Sequence, residues 1–314
     1  MPQPTLSPHG RLLDPAGLIF GILLPVAIAI GGVLLTWALE SQLPERIASH
    51  WTATDPDGYS RPMTFAWVLA LVIVLVGAGC AAIAALAHAL LLMRRMMLLV
   101  GLTVTGLIAV LWWTTLTRQI GAADPSAVEL PWYAVPLGLL LGLAAGLLGA
   151  ALLRDLRERI ATGIPRTPRG LPPVHTSAGF GWLGTAGFAV VIFGCAAGVA
   201  VTLHSLWPLA AAAPVVAILV AVMHFDVRVD DSGLRVRNLG MTSLSIDVEE
   251  IESAEVTEIR PFRDFGGWGL RVRAPRDYGI VTHTGPAVVV RTASGLRVTI
   301  TSDRAEAMAA ILRP

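Results

Sequence analysis

The chain has 314 residues, of which 54% are hydrophobic and 14% are charged, and its formal net charge is +1. Soluble domains carry about 25% charged residues, so much of this chain is expected to contact lipid. The near-zero charge gives no electrostatic basis for binding nucleic acid, and two cysteines, Cys80 and Cys195, are too few for a disulfide framework or a zinc site.

Six apolar runs are long enough to form membrane-spanning helices, since crossing a hydrocarbon core of about 30 Å takes about 20 helical residues. They cover residues 18–39, 65–93, 96–116, 133–153, 182–203 and 206–223. The sixth run is the shortest and contains Pro208 and Pro214. The sequence therefore predicts an α-helical membrane bundle of about six transmembrane helices. Residues 1–223 are expected to comprise a tail of residues 1–17, a first helix pair over 18–93 and the remaining helices over 94–223.

The placement of arginine residues predicts the orientation of this bundle. The connections 40–64 and 117–132 and the turn near His204 together contain three arginines. The opposite end contains eight, in the N-terminal tail and two connections: Arg11, Arg94, Arg95, Arg154, Arg157, Arg159, Arg166 and Arg169. Positively charged connections stay in the cytoplasm. Both termini are therefore expected to be cytoplasmic, with segment 40–64 outside the bacterial cell membrane.

The polar segment 43–62 separates the first two predicted helices. Pro44 is expected to end the first helix, because proline cannot continue the helical hydrogen-bond pattern. Leu43, Ile47 and Trp51 are spaced four residues apart. This spacing predicts one helical turn lying on the membrane surface with these side chains facing the lipid.

The sequence Asp55-Pro56-Asp57-Gly58 predicts a tight turn, which would bring His50 close to Asp55 and Asp57. One imidazole and two carboxylates could bind a metal or act in catalysis, although a further ligand would have to come from elsewhere. Alternatively, His50 is hydrogen-bonded within the loop and Trp51 anchors it at the membrane interface. A partner-binding surface is the third interpretation.

The same segment resembles a known family. Leu43, Pro44, Ile47, His50, Trp51, Asp57 and Gly58 match the pattern of the bacterial membrane domain of unknown function 1648. The resemblance covers about residues 18–90. That domain is found in immunity and signalling proteins related to those that protect cells from a sporulation-delaying toxin. Together with the loop chemistry described above, it makes the candidates for loop architecture or partner binding Pro44, His50, Trp51, Asp55, Asp57 and Gly58.

Small residues recur every four positions in two of the predicted helices. Gly138, Gly142 and Gly146 form one series, and Gly194 and Gly198 form a second. This spacing lets helix backbones approach closely. The first series predicts either packing within one bundle or the contact surface of a homo-oligomer.

The predicted spans contain few ionisable groups. His88 is the one clearly embedded titratable side chain, near the inner end of the second span, whereas coupled transporters usually need several such groups. Tryptophans lie near the ends of the spans, as interfacial anchors do: Trp37, Trp51, Trp67, Trp112, Trp113, Trp132 and Trp182. The pattern favours contact with a lipid bilayer over transport.

From His224 onward the apolar residues alternate with polar ones, as in half-buried strands. Turn sequences at 231–233 and 294–295 separate some of these runs. The sequence from Ser302, SDRAEAMAAIL, predicts a helix capped by Ser302 or Asp303. Residues 224–314 are therefore expected to form a separate cytoplasmic domain, a small soluble β-barrel or sandwich of about seven strands closed by a C-terminal helix.

The run Gly266-Gly267-Trp268-Gly269, with the strands and helix around it, resembles the bacterial pleckstrin-homology-like domain over about residues 224–314. The glycines permit a sharp turn, and Trp268 is expected to fill one end of the barrel. Nearby arginines could contact lipid headgroups, although acidic residues are interleaved with them: Arg260, Arg263, Arg271, Arg273 and Arg276.

Three functional classes follow from these patterns. The first, which we favour, is a membrane sensor or immunity-type interaction protein whose external loop 40–64 faces a protein, peptide or toxin. The second is a membrane enzyme or metal-dependent protein that uses His50 and the loop carboxylates. The third is a transporter. None of the patterns calls for a cofactor.

Overall fold

The computed structural model describes residues 12–52, 55–166, 169–179 and 182–314. Its first part consists of six apolar helices, which are α1 Pro15–Gln42, α2 Pro62–Ala85, α3 Leu91–Gln119, α4 Ala134–Leu152, α5 Trp182–Thr202 and α6 Trp207–Met223. Within the described ranges, the first five are long and apolar enough to cross a membrane. The sixth has 17 residues, about 25 Å, which is near the lower limit for a span.

The N-terminal boundary of α1 lies three residues before the predicted one. The carboxylate of Asp14 caps the helix, because its Oδ1 accepts a hydrogen bond of 2.9 Å from the backbone N–H of Ala16. Pro15 follows at the first helical position, where its missing N–H is not needed. The rest of the predicted tail, residues 1–11, lies outside the described residues.

The predicted break between the second and third spans at residues 94–95 is wrong. Leu86 has extended backbone angles, so the connection comes earlier, between Ala85 and Leu91. Arg94 and Arg95 belong to the first turns of α3 and are buried. The charges indicated a loop, but carbonyl oxygens of neighbouring segments accept their hydrogen bonds. His88, predicted to be embedded, is exposed in this connection.

Glycines on α4 pack against α3 within the same chain. A Cβ atom added at Gly142 would lie 2.5 Å from the carbonyl oxygen of Leu102, and one added at Gly138 would lie 2.8 Å from the Cα of Leu107. Gly146 is equally close to Leu99. This face is therefore occupied by intrachain packing, the first of the two predicted uses. Gly194 and Gly198 on α5, by contrast, have no atoms within 4 Å of such a Cβ.

Trp112 is buried inside the helical bundle, with 2% of its surface exposed, so its predicted interfacial position is wrong. Its indole N–H donates to Thr36 Oγ1 at 3.0 Å, and its ring occupies the space in which a Cβ of Gly32 would lie. The neighbouring Trp113 is exposed, as expected of a lipid-facing side chain.

A two-stranded hairpin, β1 Ile47–Thr52 and β2 Asp55–Ser60, connects α1 to α2. The remaining strands are β3 Val174–Ala178, β4 Phe225–Asp230, β5 Gly233–Asn238, β6 Met241–Asp247, β7 Ile251–Ile259, β8 Gly269–Ala274, β9 Asp277–Val281, β10 Gly285–Thr292 and β11 Arg297–Thr301. Two short helices, α7 Pro261–Phe265 and α8 Ala305–Leu312, complete the C-terminal part.

The C-terminal strands form two sheets that enclose a common core. One sheet has the order β3-β4-β5-β6 and the other the order β7-β10-β11-β9-β8. Alternating side chains of both sheets, such as Val227, Val236, Val288 and Ile300, are buried together with Met308 of α8. Of the two predicted architectures, the sandwich closed by the final helix is therefore the one observed among the described residues.

This sheet domain begins earlier than the predicted residue 224. Strand β3 comes from the connection before α5, and its Val174 pairs with Val229 of β4. Leu90, Leu92 and Met96, at and next to the first turns of α3, also belong to the sandwich core. The domain consequently shares its core with the third membrane helix.

The turn from Gly266 to Gly269 connects α7 to β8. Gly266, Gly267 and Gly269 have φ angles of 72°, 144° and 91°, so this sharp turn requires glycine. Trp268 is 43% exposed and packs edge-on against Phe262, with 4.7 Å between ring centroids. The prediction that Trp268 fills the end of a barrel is wrong, because α8 supplies the side chains that close the core.

Candidate functional site

The candidate segment between α1 and α2 forms a β-hairpin rather than a helical turn. The first helix ends at Gln42, before Pro44, as predicted. Ile47 and Trp51 then lie on strand β1, so the helical surface turn predicted for them is wrong. Asp55 and Asp57 lie on β2, and the predicted tight turn over 55–58 is also wrong. The two strands are joined through residues 53–54, which lie outside the described residues.

The inner face of the hairpin is attached to the C-terminal turn of α3. The side-chain Oε1 of Gln119 accepts a hydrogen bond of 2.7 Å from Ala48 N, and its Nε2 donates to Ala48 O at 3.0 Å. Nε2 also donates to Thr115 O at 3.0 Å, which holds the carboxamide to its own helix. Ile47 is fully buried beside Leu116. The hairpin is therefore anchored by a buried polar contact and an apolar one.

Trp51 connects the hairpin to the segment between α3 and α4. Its indole N–H donates to the backbone oxygen of Val128 at 2.8 Å. That segment is itself ordered by Asp124, whose carboxylate accepts hydrogen bonds from the N–H and hydroxyl of Ser126. These hydrogen bonds lower the pKa of Asp124. Trp51 is half-buried, which fits an architectural anchor between two loops.

The outer face of the hairpin carries a small polar cluster. Asp57 Oδ1 lies 2.5 Å from His50 Nδ1, and the hydroxyl of Thr52 donates to the other carboxylate oxygen. The hydrogen bond from Thr52, and then that from His50, lowers the pKa of Asp57. Gly58 pairs with His50 across the strands, and a Cβ there would lie 2.9 Å from the Cβ of His50. Glycine at this position therefore leaves room for the Cβ of His50.

This cluster has the geometry of a surface rather than of a reaction centre. The His50 side chain is 72% exposed and that of Asp57 is 44% exposed, so neither lies in a pocket that excludes water. Among the described residues, no group of three or more His, Cys, Asp or Glu side chains could hold a metal ion. Asp55 is exposed at the start of β2, two residues before Asp57, and adds negative charge to the same face. The arrangement can therefore present a polar, hydrogen-bonding surface to another molecule.

The opposite end of α3 is hydrogen-bonded to the sheet domain. Arg95 Nη1 donates to Thr242 O at 2.8 Å and to Ser243 Oγ at 3.0 Å, both on β6. Its Nε donates to Ala150 O at 2.9 Å and its Nη2 to Leu153 O at 3.3 Å. One guanidinium thus joins α3, the end of α4 and the sheet domain.

Further ion pairs lie at this same end of the bundle. Arg94 pairs with Asp14, and both side chains are almost fully buried. In the segment after α4, Arg157 forms two hydrogen bonds with the fully buried carboxylate of Glu250, at 2.7 and 3.1 Å. Together with Arg95, these contacts place Asp14 and the sheet domain at the same end of the bundle.

Sequence reasoning identified the exposed residues of the hairpin but missed the residues that anchor it. The structure brings His50 and Asp57 together, places Trp51 against another loop and leaves Asp55 at the rim. Gln119 and Arg95 were missed because their partners lie far away in the chain, 71 residues for Ala48 and 148 for Ser243. For Gln119, the available signal was its position as a polar residue in the last turn of an apolar helix.

No protein-family model, curated protein or solved structure matches this chain. The resemblances of residues 18–90 and 224–314 to known families therefore stay predictions. The case for a function depends on the geometry of the hairpin, α3 and the sheet domain.

Proposed function

We propose that this protein is a membrane sensor or immunity-type interaction protein. The hairpin of residues 47–60 is its external contact surface, and the sheet domain is its cytoplasmic part. The proposal takes the hairpin to be the outward-facing element of a domain of unknown function 1648, and the sheet domain to be of the pleckstrin-homology-like type.

One observation carries the proposal: a single helix is hydrogen-bonded to both elements. At one end of α3, Gln119 binds the backbone of Ala48 in the hairpin. At the other end, Arg95 binds Thr242 and Ser243 in the sheet domain. The helix has 29 residues and spans about 43 Å, more than the bilayer core. A displacement of the hairpin would therefore act on the sheet domain through one continuous element.

The exposed face of the hairpin fits a role in recognition. His50, Thr52, Asp55 and Asp57 form a polar surface on a rigidly held strand pair, whereas the apolar side chains point to the bundle. A preorganised surface loses little conformational entropy on binding. The acidic side chains would favour a basic protein or peptide as the partner.

The proposed orientation has a direct test in intact cells. In a chain with Cys80 and Cys195 replaced by alanine, single cysteines are introduced at Asp55 and at Arg235, an exposed position on β5. A membrane-impermeant thiol reagent should label Asp55→Cys in intact cells and Arg235→Cys only after lysis. Labelling of Arg235→Cys in intact cells would reverse the orientation.

Partner contact is tested separately by photo-crosslinking. A photoreactive amino acid at Asp55 should form an adduct with an external protein or peptide in native membranes. The same group at Trp67, which is exposed on the lipid-facing side of α2, is the matched control and should react with lipid. Equal protein adducts at both positions, or none at Asp55 under conditions where Trp67 reacts, would argue against a recognition surface on the hairpin.

A further inference from the structure

An apolar groove lies where the sheet domain meets the last two membrane helices. Its volume is about 430 Å³, and it is lined by residues of α5, α6 and the glycine-rich turn, including Phe188, Val216, Leu219, Val220, Trp268 and Arg271. Phe188 is within two turns of the start of α5, and the α6 residues belong to its last two turns. The groove is thus at the depth where lipid headgroups meet the hydrocarbon core, on the side of the sheet domain.

The aromatic residues at the mouth of this groove are unusually exposed for a water-facing domain. Phe262 is 64% exposed, and Trp268 packs against it while remaining partly exposed. Contiguous exposed apolar surface marks an interaction site. Tryptophan in particular favours the membrane–water interface. The position and composition of this pair therefore indicate contact with lipid.

Arg271 differs from neighbouring arginines in its ion pairing. Arg263 pairs with Asp264, and Arg273 pairs with Asp277. Within the part of the chain that the structure describes, no acidic side chain forms an ion pair with Arg271. Its Nε donates to Trp268 O at 2.8 Å, which holds the guanidinium at the mouth of the groove. A guanidinium in this position is suited to a phosphate group.

We propose that this groove binds one anionic phospholipid of the adjacent leaflet, with an acyl chain along Phe188, Leu219 and Val220 and the phosphate at Arg271. The apolar lining matches the acyl chain, the guanidinium matches the anionic headgroup, and the helices that form the walls are already in contact with the bilayer. Bound lipid would fill the space between α6 and the glycine-rich turn and link the sheet domain to the membrane.

The test uses the full-length protein, purified in detergent, depleted of lipid and examined by native mass spectrometry. Phosphatidylglycerol, phosphatidylcholine and glycerol 3-phosphate are the three probes. The wild type should retain one phosphatidylglycerol in preference to phosphatidylcholine and should not retain glycerol 3-phosphate. Arg271→Gln should bind phosphatidylglycerol about tenfold more weakly and lose the preference, because a charge-assisted hydrogen bond is lost.

Two groove variants and their controls make the test specific. Leu219→Trp fills the groove and should weaken retention of both lipids, whereas Val190→Trp, at an exposed position of α5 outside the groove, should not. Arg235→Gln on β5 is the matched control for charge. Unchanged binding in Arg271→Gln, retention of glycerol 3-phosphate by the wild type, or equal effects of Leu219→Trp and Val190→Trp would each overturn the proposal.

Discussion

The side chain of Gln119 binds the backbone of Ala48 as a neighbouring strand would. It accepts from the N–H at 2.7 Å and donates to the carbonyl oxygen at 3.0 Å, satisfying both main-chain groups of a fully buried residue. Because the same carboxamide is held to Thr115, the hairpin and the C-terminal turn of α3 form one unit.

Trp51 is predicted to contribute more to hairpin stability than His50. Trp51→Ala removes the hydrogen bond to Val128 and apolar contact area, so amide hydrogen exchange in β1 should accelerate about tenfold. His50→Gln should change exchange less than about threefold, since the imidazole is largely exposed and an amide can still bond Asp57. Exchange measured by mass spectrometry in nanodiscs checks both variants. Faster exchange in His50→Gln than in Trp51→Ala would contradict this order and make the His50–Asp57 contact the main anchor of the hairpin.

The glycine face of α4 is predicted to be required for folding of one chain. Gly142→Leu would place atoms against the backbone of Leu102 and Thr103 and should cost about 3 kcal/mol through overpacking. Gly194→Leu, on the open face of α5, is the matched control and should be close to neutral. Thermal unfolding in detergent measures both. Normal stability of Gly142→Leu with loss of an oligomer would instead assign the glycine face to association between chains.

The buried pair Arg94–Asp14 is predicted to be costly to break from one side. Arg94→Ala leaves a buried carboxylate without its partner and should destabilise the protein by about 3–5 kcal/mol. Replacing Arg94 with Met together with Asp14→Asn should recover most of this loss, because asparagine keeps the helix cap and no charge stays buried. Chemical denaturation of the wild type and the two variants distinguishes these outcomes. Equal losses of stability in the single and double variants would mean that the unpaired buried charge is not the main cause of the destabilisation.

The Asp57 carboxylate is predicted to order the hairpin only while it is ionised. Hydrogen bonds from Thr52 and His50 hold its folded-state pKa below the ordinary value of 3.8. Its contribution is therefore fully present above pH 3.8 and is lost as the pH falls through the lower, folded-state pKa. Exchange of residues 50–52, corrected for intrinsic rates, should accelerate on acidification below pH 3.8. Asp57→Asn should lack this dependence, and an identical acid response in that variant would exclude Asp57 as its source.

The sequence predicted those features that depend on local periodicity. The long apolar runs predicted the membrane helices, and the alternation after His224 predicted most strands of the sandwich. The turn residues 266–269 predicted a glycine-dependent turn. In each case the residue types within one short window determine the local structure.

Features that depend on distant partners were not predictable in this way. The hairpin has turn-forming residues at 55–58, yet pairing with β1 and the contact from Gln119 place these residues in a strand. Arg94 and Arg95 indicated a loop, although carbonyl groups from other segments satisfy them inside α3. These two errors share one cause, because a turn residue in one case and a charge in the other was interpreted without its tertiary partners.

The central claim is that α3 couples the hairpin to the sheet domain. It is tested most directly by breaking the contact at one end of α3 and measuring the effect at the other. Gln119→Leu removes the two hydrogen bonds to Ala48. Thr117→Val is the matched control, because among the described residues the Thr117 hydroxyl donates to carbonyl oxygens of its own helix. Hydrogen exchange of the full-length protein in nanodiscs is followed in residues 47–52 and in 241–247. The account predicts that Gln119→Leu accelerates exchange in both segments and that Thr117→Val accelerates neither. Acceleration confined to residues 47–52 would contradict coupling through α3.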